Sequence, residues 1–306
     1  MDKKRKTEIT GSLLVILAGL SWGCSGIFVR WFSALNLDTM QVTFFKVAFA
    51  GTVLLIYTLI FHREALKIKL KDLWIFLGSG LASMVFFTWA YFNTIRATSM
   101  STAAVLLYLA PPMVMIMSAI FFKEKITWNK IAACVLAFAG CVFVSGYIGS
   151  GASIPVKALI TGLCSALGYA LYSIFSQAAI NRGYGTLTIT TYTFIIAAVG
   201  AAFFMRPSQI AAAAQACGSA GKFAGMLILM AIVVSLFPYI VYTAGLSRTT
   251  PGKASIIASI EPVMATVVGA VVFHEIPNVY GIIGIILVVS AIVLLNLRLA
   301  ERKKSI

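Results

Sequence analysis

The sequence predicts an all-α membrane protein whose ten transmembrane helices form two inverted five-helix repeats (5+5), residues 1–150 and 151–306. Three observations lead there: a composition too apolar for a water-facing surface, ten apolar runs of spanning length, and features that recur about 150 residues apart.

The 306 residues are 60% hydrophobic and only 11% charged, with a mean hydropathy of +0.98. Soluble domains lie nearer half apolar and a quarter charged, so this chain cannot cover a globular surface and takes lipid as its solvent. The net charge of +15 does not indicate nucleic acid. The 24 Lys and Arg residues sit in short clusters between apolar runs, not in one stripe beside aromatics, which is the pattern of cytoplasmic helix ends. Cys24, Cys134, Cys141, Cys164 and Cys217 are an odd number with no CxxC pair, four of them inside apolar runs. They indicate neither a disulfide framework nor a metal site.

A helix needs about 20 apolar residues to cross roughly 30 Å of hydrocarbon. Ten runs qualify: 11–29, 40–61, 73–93, 100–122, 128–147, 158–179, 186–205, 223–246, 254–273 and 279–297. The first follows a basic start and exceeds the apolar core of a signal peptide, so it reads as a retained helix. Two connections are longer than the rest, the Gly- and Ser-rich 148–157 and the Ala-rich 206–222.

Lys and Arg divide unevenly between alternate loops. One set holds 18: Lys3, Lys4, Arg5 and Lys6; Arg63, Lys67, Lys69 and Lys71; Lys123, Lys125 and Lys130; Arg182; Arg248 and Lys253; and Arg298, Arg302, Lys303 and Lys304. The other set holds 5: Arg30, Arg96, Lys157, Arg206 and Lys222. The positive-inside rule then places both termini in the cytoplasm of a multi-pass protein of the bacterial cytoplasmic (inner) membrane.

At an offset of 150, Phe87 falls on Phe237, Trp89 on Tyr239, Ala104 on Ala254 and Pro112 on Pro262. After a slip of one, Phe122-Lys123-Glu124-Lys125 faces Phe273-His274-Glu275-Ile276, and near the start of each half Leu20-Ser21-Trp22-Gly23 resembles Ser165-Ala166-Leu167-Gly168-Tyr169. Five helices per half is an odd number, so the second half enters the membrane upside down relative to the first, the architecture of inverted-repeat transporters.

These same residues resemble the EamA-type ten-helix family of the drug/metabolite transporter superfamily. The matching pieces are the stretch ending in Trp22-Gly23, the stretch 97–112 with Leu109-Ala110-Pro111-Pro112, the helix end Phe122–Glu124, and in the second half Ser259-Ile260-Glu261-Pro262 with the later Glu275. The resemblance covers nearly the whole chain. It implies two EamA modules around a central cavity lined by the first four helices of each, with each fifth helix at the periphery. Lys46 departs from the family, which often has Arg there. Substrates across the family range from amino acids and metabolites to amines and nucleobases.

Ionisable groups deep in a span are costly and usually face a cavity. Glu261 is the acid at mid-depth, and Pro262 kinks the helix beside it and frees a carbonyl. Together they suit a proton, a coupling cation or a substrate amine; a structural acid satisfied at the kink is the alternative. Lys46, about two turns into the second run, either snorkels to the interface or offers its ammonium to a substrate carboxylate or to Glu261. Trp22, Trp89, Tyr108, Tyr169 and Tyr239 at mid-depth need partners for N–H or O–H, which favours the bundle interior. Ordinary packing explains any single one better than ligand binding does, whereas a group of them facing one cavity would form a substrate-binding wall for an aromatic or quaternary-ammonium ligand. Tyr91 and Tyr242, nearer span ends, read as interface residues. Pro111, Pro112, Pro238 and Pro262 are the hinge candidates. Gly19 with Gly23, and Gly281 with Ile285 flanked by Gly284, read as close-packing positions.

The expectation is a secondary transporter moving a small metabolite, an amino acid or similar, outward by alternating access; the alternative is a permease for an amine or quaternary ammonium such as choline, or an exporter of drug-like cations. No Gly-rich GK[ST] phosphate loop is present. No HExxH, paired intramembrane Asp or Ser–His pair suggests an enzyme. The partners expected are the substrate, the bilayer and protons or another coupling ion, with no cofactor, in a monomer or homodimer.

Overall fold

The computed structural model describes residues 3–148 and 154–301, with side chains for 5–148 and 154–296. Residues 149–153 of the Gly-Ser connection and the tail cations Arg302, Lys303 and Lys304 lie outside the described residues, as do the side chains of Lys3, Lys4 and Arg298. Among the described residues there is no strand. The helices are α1 (Arg5–Ala34), α2 (Thr39–Phe61), α3 (Leu70–Ala97), α4 (Met100–Phe122), α5 (Trp128–Val144), α6 (Val156–Asn181), α7 (Thr186–Ala202), α8 (Pro207–Ala216), α9 (Ala220–Leu246), α10 (Pro251–Phe273) and α11 (Val279–Asn296). In the described residues eight are long and apolar enough to cross a membrane, and α7 with α8, bent by 97° at their junction, form a candidate ninth.

Two expected runs come out short. Helices α5 and α7 have 17 residues each, about 25 Å at 1.5 Å per residue, a turn less than the hydrocarbon requires. The chain leaves α7 at Ala202 and restarts at Pro207, whose fixed φ suits the first turn of a new helix. The connection 206–222 is therefore no plain loop: its alanines propagate α8 until Gly218, at φ +70, turns the chain. Helix α10 starts earlier than expected, at Pro251, so Lys253 lies inside the helix with 8% exposure and not in a connection.

Helices α4 and α10 each break midway. The first stops at Leu107 and restarts at Ala110; the second stops at Ala258 and restarts at Glu261. Prolines cause both breaks. Pro111 and Pro262, each second in the restarted segment, have no N–H for the carbonyls of Leu107 and Ala258, and Pro112 likewise leaves that of Tyr108. The ends also match. Lys123 (φ +54) and His274 (φ +57) are left-handed, and the N–H groups of Glu124 and Glu275 donate six residues back to Ser118 and Gly269 at 3.3 and 3.0 Å. These are matching left-handed helix ends built without glycine.

Breaks, prolines and ends thus recur at a spacing of 151, which corrects the expected register: Pro262 matches Pro111, not Pro112. Phe87 and Phe237 keep the spacing of 150, each restarting an α-helix after a π-helical stretch, Gly78–Phe86 in α3 and Ala231–Leu236 in α9. The one-residue slip falls in the connections before α4 and α10. Pro238 accounts for the second π stretch by displacing the carbonyl of Val234. In the first, the hydroxyls of Ser79, Ser83 and Thr88 donate to the carbonyls of Phe76, Ser79 and Met84, competing with the helical ladder.

Helix α5 packs along α11, α2 along α7, α3 along α6, and α1 along both α9 and the second segment of α10. The α5–α11 crossing is close: a Cβ on Gly140 would stand 2.8 Å from the carbonyl oxygen of Gly284. Gly19 and Gly23 do the same for α1 against α10, whereas Gly281 faces only Pro277 and Asn278 of its own segment.

Candidate functional site

The two breaks meet. Leu107, Tyr108, Ala110 and Pro111 of α4 and Ser255, Ala258 and Ser259 of α10 line, with Tyr169 of α6, a cavity of about 10 Å³, room for about one water. Pro111, not Pro112, is the proline at this junction.

Glu261 begins the second segment of α10 beside that cavity. Its Oε2 accepts a long hydrogen bond from Tyr169 Oη at 3.5 Å. Lys46 of α2 interacts with it electrostatically, without a direct ion pair between them. Tyr91, Tyr108 and Tyr239 also feel the Glu261 charge. One carboxylate and one ammonium, both half-buried, thus lie on different helices within electrostatic range of each other.

Aromatic rings wall that centre. Trp22, 8% exposed, packs edge-on against Tyr239 at 5.2 Å and Tyr169 at 6.3 Å, and against Tyr242 at 5.3 Å. Tyr239 also meets Tyr172 at 4.8 Å and Phe194 at 5.3 Å, and Phe87 meets Tyr169 at 5.7 Å. Two of the hydroxyls are satisfied from within: Tyr172 shares a 2.7 Å bond with Thr243, and Tyr242 one with Ser173. Ser21 donates to the carbonyl of Val233 in the π stretch of α9 at 2.6 Å, so the irregular backbone is paired by α1.

Of the expected site residues, Trp22, Tyr108, Tyr169, Tyr239 and Glu261 come together, and Lys46 lies within electrostatic range of Glu261. Trp89 does not join them: it is 44% exposed and stacks on Phe86. The helical period explains this. Phe87 and Tyr91, four apart and stacked on each other, face inward, which turns Trp89, two residues from each, to the opposite side of the helix. Tyr91 and Tyr242 are not interface residues; Tyr242 is 3% exposed within the cluster. Spacing was the available signal, since Tyr169 with Tyr172 and Tyr239 with Tyr242 are three apart on one face.

Two further acids sit at the helix ends outside the apolar core. Glu124 is tied to Lys130 at 2.7 Å, to the N–H of Gly252 at 3.1 Å, and to the Ser118 hydroxyl. Burial alone would raise its pKa, but these bonds together with Thr250 hold the carboxyl below the ordinary value. Glu275 pairs with Arg30 through bonds of 2.7 and 2.8 Å, and that hydrogen bonding lowers its pKa as well.

A sequence model of the EamA-like transporter family matches the chain over residues 9–146 and again over 156–297. An "Uncharacterized transporter" of Archaeoglobus fulgidus is 25% identical over 300 residues, 98% of this chain and 100% of that one. An "S-adenosylmethionine uptake transporter" of Rickettsia prowazekii is 22% identical over 303 residues, 95% of this chain and 94% of the relative. A solved crystal structure has the same fold, with a TM-score of 0.78 at 18% identity over 96% of this chain and 99% of its own. With the family matched along nearly its whole length, the chain belongs to the EamA-like transporters and is a multi-span membrane transporter of the drug/metabolite kind.

Proposed function

We propose that the protein is a secondary transporter that exports a small zwitterionic metabolite, an amino acid or a close analogue, across the bacterial inner membrane by alternating access. The observation that carries this reading is Glu261 at the paired helix breaks, bonded by Tyr169 of the aromatic cluster and within electrostatic range of Lys46. A substrate ammonium would meet the carboxylate and a substrate carboxylate would meet the ammonium, so one molecule replaces two solvated charges with two matched contacts. Glu261 is also the group able to exchange a proton for the substrate amine. Two five-helix halves of opposite orientation, with α5 and α7 as the short spans and both termini cytoplasmic, are supported by the 18-to-5 split of Lys and Arg, by the recurrence at 151 and by the two family matches.

A second reading has its own support. The rings of Trp22, Tyr169 and Tyr239 beside an acid suit an amine or quaternary ammonium such as choline, or a drug-like cation, through cation–π contact. The relative named for S-adenosylmethionine makes that compound, a sulfonium carrying an amino-acid end, a probe for both readings.

Counterflow into proteoliposomes of labelled amino acids, choline and S-adenosylmethionine separates them. Accumulation of amino acids with no choline signal is expected. Choline counterflow without amino-acid counterflow would favour the cation reading, and no movement of any probe would reject both.

A further inference from the structure

The acids that end α4 and α10 occupy the same backbone setting and hold different things. Glu124, 6% exposed at its side chain, accepts from Lys130, Ser118 and the N–H of Gly252, which ties the end of α4 to the first turn of α10. Glu275 is half-exposed and holds Arg30 of α1. Ser101, in the first turn of α4, is the position 151 residues before Gly252, and among the described residues Glu275 makes no bond to it. Packing shows the same asymmetry. The first segment of α10 lies along the second segment of α4, but the first segment of α4 packs on α3, α5 and α6 and has no comparable contact with the second segment of α10. The bundle is joined at one end and lacks the matching junction at the other.

We propose that Glu124 and Glu275 are alternate latches of the transport cycle. The conformation described is held by Glu124 on α10; in the opposite-facing one Glu275 leaves Arg30 and takes the N–H of Ser101, while Glu124 releases Gly252. This rests on the alternating-access reading above. The first turn of a helix leaves N–H groups without intrahelical partners and favours a carboxylate. Exchanging one latched first turn for the other keeps the two states close in energy, as a cycling carrier needs. Arg30 neutralises Glu275 while it is unlatched, and Lys130 stays beside Glu124.

Met100 and Ile276 flank the second latch, are 55% and 91% exposed, and leave Glu275 and Ser101 intact when changed. With Cys24, Cys134, Cys141, Cys164 and Cys217 replaced by serine, Met100→Cys with Ile276→Cys is treated in membrane vesicles with a short bifunctional thiol reagent. The cross-linked fraction is expected to rise several-fold with Arg30→Gln, to fall several-fold with Glu275→Gln, and to arrest flux once formed. Glu275→Gln removes only an exposed pair from the conformation described, so loss of folding does not explain a change. A cross-linked fraction indifferent to both substitutions, or no cross-link while flux proceeds, would overturn the latch. Flux absent for every probe, with cross-linking still answering to both substitutions, would instead reject the transport reading and leave the latch standing.

Discussion

Gly23 sets how closely α1 approaches the break in α10, and Gly23→Ala tests that approach. A Cβ there would stand 2.5 Å from Met264 Cβ, 2.6 Å from the carbonyl oxygen of Glu261 and 3.0 Å from the backbone nitrogen of Ala265. Two of these atoms are backbone and the third is the root of a side chain, so no flexible tip can yield. One helix must recede until 2.6 Å approaches the 3.4 Å of ordinary contact. Overpacking of this kind costs about 1–3 kcal/mol, against a gain of up to about 1 kcal/mol for alanine over glycine in a helix. A net loss of up to about 2 kcal/mol follows once that gain is subtracted. Gly26 is the control: it lies in the same helix with nothing within 4 Å of its would-be Cβ, so Gly26→Ala keeps the gain without the clash. Thermal unfolding in detergent should place Gly26→Ala at or above the parent protein and Gly23→Ala several degrees below it. Because the carbonyl struck belongs to Glu261, flux should slow in Gly23→Ala alone. Equal melting and equal flux for the two variants would refute the reasoning.

Three further outcomes are expected. Lys46→Ala raises the apparent KM for substrates bearing a carboxylate and leaves simple amines unchanged; an equal loss for both would give Lys46 a structural role only. Glu261→Gln abolishes the pH dependence of flux measured in vesicles, and a preserved pH profile would exclude Glu261 as the coupling acid. Glu124 has a folded pKa held below its unfolded value of about 4.3, so its contribution to stability is complete above that pH and is lost as pH falls through the folded pKa. Acid titration of the melting temperature should therefore be steeper below about pH 4.3 in the parent than in Glu124→Gln; identical slopes would count against the four-bond clamp.

The family and the helical, membrane-spanning character were legible because they depend on local quantities: run length, loop charge, and prolines that cannot donate. The site was half legible. Glu261 stood out as an acid where lipid forbids an idle one, and Trp22, Tyr108, Tyr169 and Tyr239 as polar aromatics at depth. Trp89 shared those properties but faces outward, since depth along a helix says nothing about rotation around it. Helical spacing from Phe87 to Tyr91, and from Tyr239 to Tyr242, carried the missing angle. The shortness of α5 and α7 was hidden because apolar residues continue past the point where the chain turns, as Phe203, Phe204 and Met205 do. The cross-helix partners of Glu124 and Glu275 were also hidden: Gly252 and Arg30 each lie more than a hundred residues away in sequence.

Backbone and chemistry repeat to different extents, and the difference has a physical cause. The breaks in α4 and α10 need only a proline at the same place, and Pro111 and Pro262 supply it. The acid is not repeated. The position matching Glu261 is Ala110, 1% exposed in a cluster with Ala166 and Ala170 of α6 and lining the same small cavity. A second acid there would bring two like charges to one junction at low dielectric, which neither would tolerate ionised. On the alternating-access reading proposed above, repeated prolines supply one break in each half, whereas the single acid, with Lys46 in electrostatic reach, gives the centre one fixed polarity. A substrate bound there would then keep the same orientation in both conformations, so exchange between them would change access to the site without requiring the substrate to turn over inside it.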